Sequence, residues 1–255
     1  MKKTISSFVL AAAVLMGGTI GAQAAGEAIE YPDVHWSWEG PFGTFDRAAL
    51  RRGMQVYKEV CSSCHSLELL YYRNLQQIGY TEAEVKAIAG DYEVEDGPDE
   101  AGDMFMRPAE PSDHFASPFA NDNAARASNG GALPPDLSLI TKARAGGADY
   151  VHALLTGYAE APADFTLMPG MNYNKYFAGH QIAMAQPLGD DYVEFADGTP
   201  ATLDQAATDV TTFLAWAAEP EMEERKRLGI KVIIFLIVFT GLAYALKRKI
   251  WSDLH

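Results

Sequence analysis

TFDRAALRRGMQVYKEVCSSCH, residues 44–65, carries two messages in succession. From Thr44 to Val60 the apolar residues Leu50, Met54, Tyr57 and Val60 recur at spacings of three and four, which predicts an amphipathic helix. Gly53 inside it costs ~1 kcal/mol relative to Ala, so its presence predicts a close approach by another element. The stretch then ends in Cys61-Ser62-Ser63-Cys64-His65, a C-x-x-C-H run. Such a run is the attachment signature of a c-type haem. Its two thiols can add to the two haem vinyl groups, and the next residue presents an imidazole to the iron. A redox-active C-x-x-C would need a strand–helix context that is missing here. A zinc site would need two further ligands, and the chain has no third cysteine. The preceding helix and His65 also favour haem c over a structural disulfide.

A sixth iron ligand is harder to read from the residues. His or Met is usual, and Met raises the reduction potential relative to His. After His65 the choices are Met104, Met106, Met168, Met171, Met184, Met222, His114, His152, His180 and His255. Met168-Pro169-Gly170 offers a proline-stiffened ligand loop, and the loop 182–187 (IAMAQP) offers Met184. Sequence chemistry leaves these two level.

Two segments stand apart from the folded domain. Residues 1–24 have Lys2 and Lys3, an apolar run from Phe8 to Met16 and the Ala22-Gln23-Ala24 site of a cleaved secretory signal. Residues 228–246 are apolar apart from Lys231, and 19 residues at ~1.5 Å each span roughly 28 Å, close to a bilayer core. Lys231 can snorkel, while Lys247-Arg248-Lys249 and Trp251 follow as a cytoplasmic flank and an interfacial aromatic. The expected organisation is a signal at 1–24, a periplasmic domain at 25–227, a transmembrane helix at 228–246 and a cytoplasmic tail at 247–255.

The chain carries a formal charge of −14, and residues 25–228 hold 14 basic against 33 acidic side chains. That acidity repels phosphate backbones and argues against nucleic-acid binding. Seven acids fall between Asp91 and Asp103, read either as a solvated loop or as a steering surface for a basic partner. Elsewhere, Tyr31 to Gly43 reads as an irregular packed segment. Thr81 to Glu84 reads as a capping box opening a helix that ends before Gly90, and Arg107 to Pro135 reads mainly as loop. A short helix is expected at Tyr150 to Tyr158, then a long loop through Gly189. A second capping box at Thr202 to Gln205 is expected to start a helix through Val210, Phe213, Leu214 and Ala217 that Pro220 stops. The fold class is mainly α, with long insertions that suit packing against a large prosthetic group.

Helix, C-x-x-C-H, distal Met loop and C-terminal aromatic helix resemble the class I cytochrome c fold, in which the terminal helices cross; Gly53 would then face Phe213 or Trp216. Residues 40–66, NGGALPPDLS (129–138), KARAGGADYV (142–151), IAMAQPL (182–188) and residues 209–229 with the anchor are similar to the cytochrome c1 family, the haem c subunits of ubiquinol–cytochrome c reductases. The resemblance covers residues 30–255. It implies one haem c on Cys61 and Cys64, with His65 and Met184 as axial ligands. It also implies that Arg144 and Tyr150 face the haem propionates, and that Asn129, Pro134 and Pro135 line the pocket.

Implied partners are cytochrome b, the Rieske iron–sulfur protein as electron donor and a soluble or tethered cytochrome c as acceptor. The setting is a dimeric complex in lipid, at a bacterial inner membrane. On this reading the chain is an electron-transfer subunit and not an enzyme by itself. A free-standing membrane-anchored shuttle is the alternative, although its domain would be nearer a minimal ~100 residues. A haem peroxidase is another, and it would need an open iron position.

Overall fold

The computed structural model describes residues 29–252; the signal expected at 1–24 and the last three residues of the tail lie outside them. Helix α1 (Arg47–Glu59) begins at Asp46, whose carboxylate accepts from the Ala48 and Ala49 amides at 2.8 and 3.4 Å. Its buried face is Leu50, Gly53, Met54 and Tyr57, as the spacing predicts. Across it lies α6 (Leu203–Ala218), the last helix of the globular core. The crossing is tight enough to explain Gly53. A Cβ there would sit 2.0 Å from the Asp209 carbonyl oxygen and 2.7 Å from the Phe213 Cβ. Tyr57 and Trp216 flank Phe213 with ring centroids at 5.8 and 5.7 Å.

Beside this crossing the Arg52 guanidinium grips the fully buried Asp209 carboxylate at 2.7 and 3.0 Å and reaches Asp197 at 2.9 Å. A carboxylate so enclosed is tolerable only with such a partner. Gln205 adds a bond to Asp209 at 3.0 Å. That corrects the second capping box. Thr202 accepts from the Gln205 amide at 3.2 Å, but the Gln205 side chain turns along α6 to Asp209 and does not return to Thr202.

Helix α2 (Glu82–Gly90) has its capping box complete in both directions, Glu84 accepting from the Thr81 amide at 2.7 Å. The backbone bond and the neighbouring Arg51 hold the Glu84 carboxyl down at about 2.

The acidic segment is more ordered than a solvated loop. Strand β1 (Glu93–Asp96) pairs antiparallel with β2 (Phe105–Pro108), from Glu93 opposite Pro108 to Asp96 opposite Phe105. Arg107 holds the hairpin by bonds to Asp96 at 2.5 Å and Asp113 at 2.6 Å. Residues 107–135 also contain a helix that the Pro, Asn and Gly content concealed. This is α3 (Asp122–Ser128), capped by Asn121, which accepts from the Ala124 amide at 3.0 Å. After α4 (Ile140–Ala143), α5 (Gly147–Thr156) begins three residues before the expected start. Strands β3 (Asn172–Tyr173) and β4 (Gln181–Ile182) form a two-residue ladder inside the next loop.

Helix α7 (Met222–Trp251) follows α6 after the stop at Glu219-Pro220 and runs 30 residues, about 45 Å at ~1.5 Å each. Among the described residues it is the one helix long and apolar enough to cross a membrane, and its apolar window is unburied. The helix continues unbroken through 227/228 and 246/247. Its first turns belong to the globular part: Met222 is buried, and Glu223 accepts from the Phe45 amide at 2.8 Å and from Arg47 at 2.6 Å. Glu219 bonds Lys142 at 2.7 Å and also Arg225.

Candidate haem-attachment site

α1 delivers the motif. Its last amide bond, Val60 to the Val56 carbonyl at 2.9 Å, leads into a 3-10 turn at Cys61–Ser63. There the Cys64 and His65 amides both donate to the Cys61 carbonyl, at 3.1 and 2.9 Å. Ser62 and Ser63 donate back to the Lys58 and Val60 carbonyls, each at 2.8 Å. This single turn therefore holds two half-buried, free thiols and an imidazole within five residues. Burial pushes the Cys61 thiol up to about 12, unlike the activated thiolate of a redox-active C-x-x-C.

His65 is oriented from both ends. Its carbonyl accepts from the Tyr57 hydroxyl at 3.1 Å, and its Nδ1 lies 2.8 Å from the Pro135 carbonyl oxygen. A carbonyl can only accept, so Nδ1 carries the proton and Nε2 keeps its lone pair for a metal. Desolvation lowers the His65 pKa, which favours the neutral, ligating form. Among the described residues no group of three His, Cys, Asp or Glu side chains could hold an ion by itself. The donor set fits a haem: two sulfurs for its edge and one oriented imidazole for its iron.

Three residues to which the sequence reading gave no role secure the Pro135 carbonyl. Asp136 accepts from the Ser66 hydroxyl at 2.9 Å, the Glu68 amide at 2.8 Å and the Ser138 amide at 2.9 Å. Ser138 accepts from the Leu69 amide at 3.0 Å, and the Leu137 amide donates to the Ser66 carbonyl at 2.9 Å. Residues 135–138 are thus laced to 65–69. The only sequence signal was an Asp directly after two prolines, which reads equally well as an ordinary turn.

The two methionine loops differ. Met168 is 55% exposed, with its amide bonded to the Gln181 side chain at 3.1 Å. Met184 is half-buried, and its carbonyl accepts from the Tyr158 hydroxyl at 3.0 Å and from Asn172 at 3.3 Å. Tyr150 is buried against Tyr31, ring centroids 5.4 Å apart, with Arg144 beside its hydroxyl. The remaining Arg144 contact is to the Ala143 carbonyl at 3.4 Å, and the side chain is exposed. Asn129 serves the end of α3, donating to the Ala125 carbonyl at 2.7 Å, and no hydrogen bond joins it to His65. Pro134 is half-buried and Pro135 exposed, its carbonyl being the part engaged.

Residues 36–254 match the model of the Cytochrome C1 family. The chain belongs to that family. Similar cytochrome c1 proteins span bacteria and mitochondria. Cytochrome c1 of Rhodospirillum rubrum is 47% identical, over 93% of each chain. The mitochondrial cytochrome c1 heme protein of Saccharomyces cerevisiae is 53% identical, over 91% of this chain and 75% of its own. A Bradyrhizobium diazoefficiens protein named cytochrome b/c1 is 51% identical over 98% of this chain, which spans only 39% of that longer protein. Cytochrome c1 membership and a mainly helical domain with one long apolar C-terminal helix agree, and they make this a single-pass membrane cytochrome of the electron-transport type.

Proposed function

We propose that the chain carries one haem c, joined by thioethers to Cys61 and Cys64, and acts as the electron-transfer subunit of a quinol–cytochrome c reductase. The observation that carries this reading is His65, next to the two thiols, with its Nδ1 at 2.8 Å from the Pro135 carbonyl. That bond holds the imidazole plane and leaves Nε2 for the iron. The haem, when bound, supplies reversible one-electron chemistry, and the protein supplies ligation, orientation and charge.

His65 and Met184 are the axial ligands in this proposal. The Tyr158 bond to the Met184 carbonyl supports it by stiffening that loop, and the exposure of Met168 leaves the rival poorly placed. Arg144 and Tyr150 face the propionates, and Asn129, Pro134 and Pro135 line the pocket. Electrons arrive from a Rieske iron–sulfur protein and leave to a cytochrome c. Cytochrome b packs on α7 within a dimeric complex, a pairing that the name of the Bradyrhizobium relative supports. Lys247, Arg248 and Lys249 favour a cytoplasmic C-terminus, which puts the haem domain in the periplasm of a bacterial cell. By itself the chain then catalyses no bond-making reaction.

Mild-detergent extraction, native purification and dithionite-reduced minus oxidised spectra test this directly. Haem c and haem b bands together, reduced by added quinol, are the expected result. A low-spin haem c that ignores quinol would favour a free-standing shuttle. The absence of haem would remove the reading altogether.

A further inference from the structure

Residues 36–47 are tied to the base of α7, and the ties advance toward the apolar span. Arg47 and the Phe45 amide meet Glu223. One helical turn further along α7, the Lys226 ammonium donates to both the Trp38 and Gly43 carbonyls. The Thr44 amide donates to the Ser37 carbonyl at 3.1 Å, so residues 37–44 form a tight turn whose tip is Glu39-Gly40-Pro41-Phe42. Gly43 permits the closure, because a Cβ there would sit 2.1 Å from the Glu39 carbonyl oxygen. The Trp38 and Gly43 carbonyls both accept from Lys226, so the turn is pinned beside the first turns of α7. Lys226 stands two residues before Leu228, about 3 Å along the axis at ~1.5 Å per residue. At the tip Phe42 is 79% exposed.

We propose that this tip is a second membrane contact, with Phe42 lying in the lipid headgroup region beside the point where α7 enters the bilayer. The inference rests on α7 being a membrane span. A lone aromatic on a short Gly-Pro turn offers no groove for a protein partner, and Phe is among the apolar side chains that interfacial segments bury at the headgroup–acyl boundary. The Glu39 carboxylate limits the depth to the headgroups, where the exposed Arg227 cation meets lipid phosphates. Two attachment points, α7 and the tip, then set the tilt of the haem domain over the membrane.

The test is spin-label accessibility in the haem-loaded complex reconstituted into phosphatidylcholine vesicles. Nitroxides are placed by Phe42→Cys, by Tyr192→Cys in an exposed loop near the far end of α6, and by Val238→Cys within the span. Unsubstituted protein labelled in parallel reports any label on Cys61 or Cys64. Position 42 should show an oxygen-to-nickel-chelate accessibility ratio severalfold above position 192, in the direction of position 238. A ratio equal to that of position 192 overturns the proposal while leaving the span intact. Protection of position 42 from both reagents means that a protein surface covers the tip, and it also overturns the proposal. Chelate access at both 42 and 238 removes the span, and the proposal falls with it.

Discussion

His65 has its tautomer set by the Pro135 carbonyl, and Asp136 holds that carbonyl in place through three donors. The methionines separate on similar grounds, since Met184 is anchored through its own carbonyl and Met168 is exposed. Met184→Leu should therefore lower the haem potential on the order of 0.1 V, inside the ~0.8 V range that axial ligation spans. Met168→Leu should leave it unchanged. A redox titration of both variants checks the assignment, and the reverse pattern would transfer the ligand to Met168. The C-x-x-C-H run that would carry the haem was legible because its spacing is local. Asp136 was not, because its value lies in reaching residues 66 and 68, which stand 70 and 68 positions away in the chain.

The crossing of α1 and α6 depends on the absence of a side chain at Gly53. Gly53→Ala drives a methyl into the backbone of Asp209, so the helices must separate. The expected loss is ~1–3 kcal/mol, as for overpacked cores, despite the better helix propensity of Ala. Guanidinium unfolding followed by circular dichroism checks this, and a gain in stability would mean that the helices are not closely packed there.

The β1–β2 hairpin has its own pH dependence. The Arg107 bonds hold the Asp96 and Asp113 carboxyls below the usual range. Carboxyls depressed on folding stabilise above their unfolded value of about 3.9, and that contribution fades as pH falls through the lower folded values. Amides of β1 and β2 should therefore lose exchange protection below about pH 4, ahead of α1 and α6. Arg107→Leu should abolish the difference between acid and neutral pH in hydrogen-exchange mass spectrometry.

With 14 basic against 33 acidic side chains in residues 25–228, the domain would steer a basic partner over a distance set by salt. The hairpin gives that charge a shaped surface, with exposed Met104, Phe105 and Met106 following the acids. Reduction of a basic soluble cytochrome c should slow steadily as ionic strength rises through ~0.1 M, where the screening length is about 10 Å. Replacing Glu93 and Glu95 by Gln should flatten that stopped-flow dependence. An unchanged slope would assign steering to other acids.

The linear chain by itself determined the C-x-x-C-H turn, the long apolar helix, the paired core helices and the acidity, because each is written in local spacing or in composition. Helical periodicity exposed α1 and α6, and Gly53 announced a close neighbour before Phe213 was placed against it. Tertiary structure decided the rest. The acids from 91 to 103 supply β1 and the turn after it because Arg107, opposite Val94, bonds both Asp96 and Asp113. Gln205 serves Asp209 because burial of that carboxylate demands partners more strongly than an exposed helix start does. Residues 36–45 are joined to the base of α7 because Glu223 and Lys226 bond their backbone. Contacts between distant segments depend on where the chain returns, and short-range patterns carry no record of that.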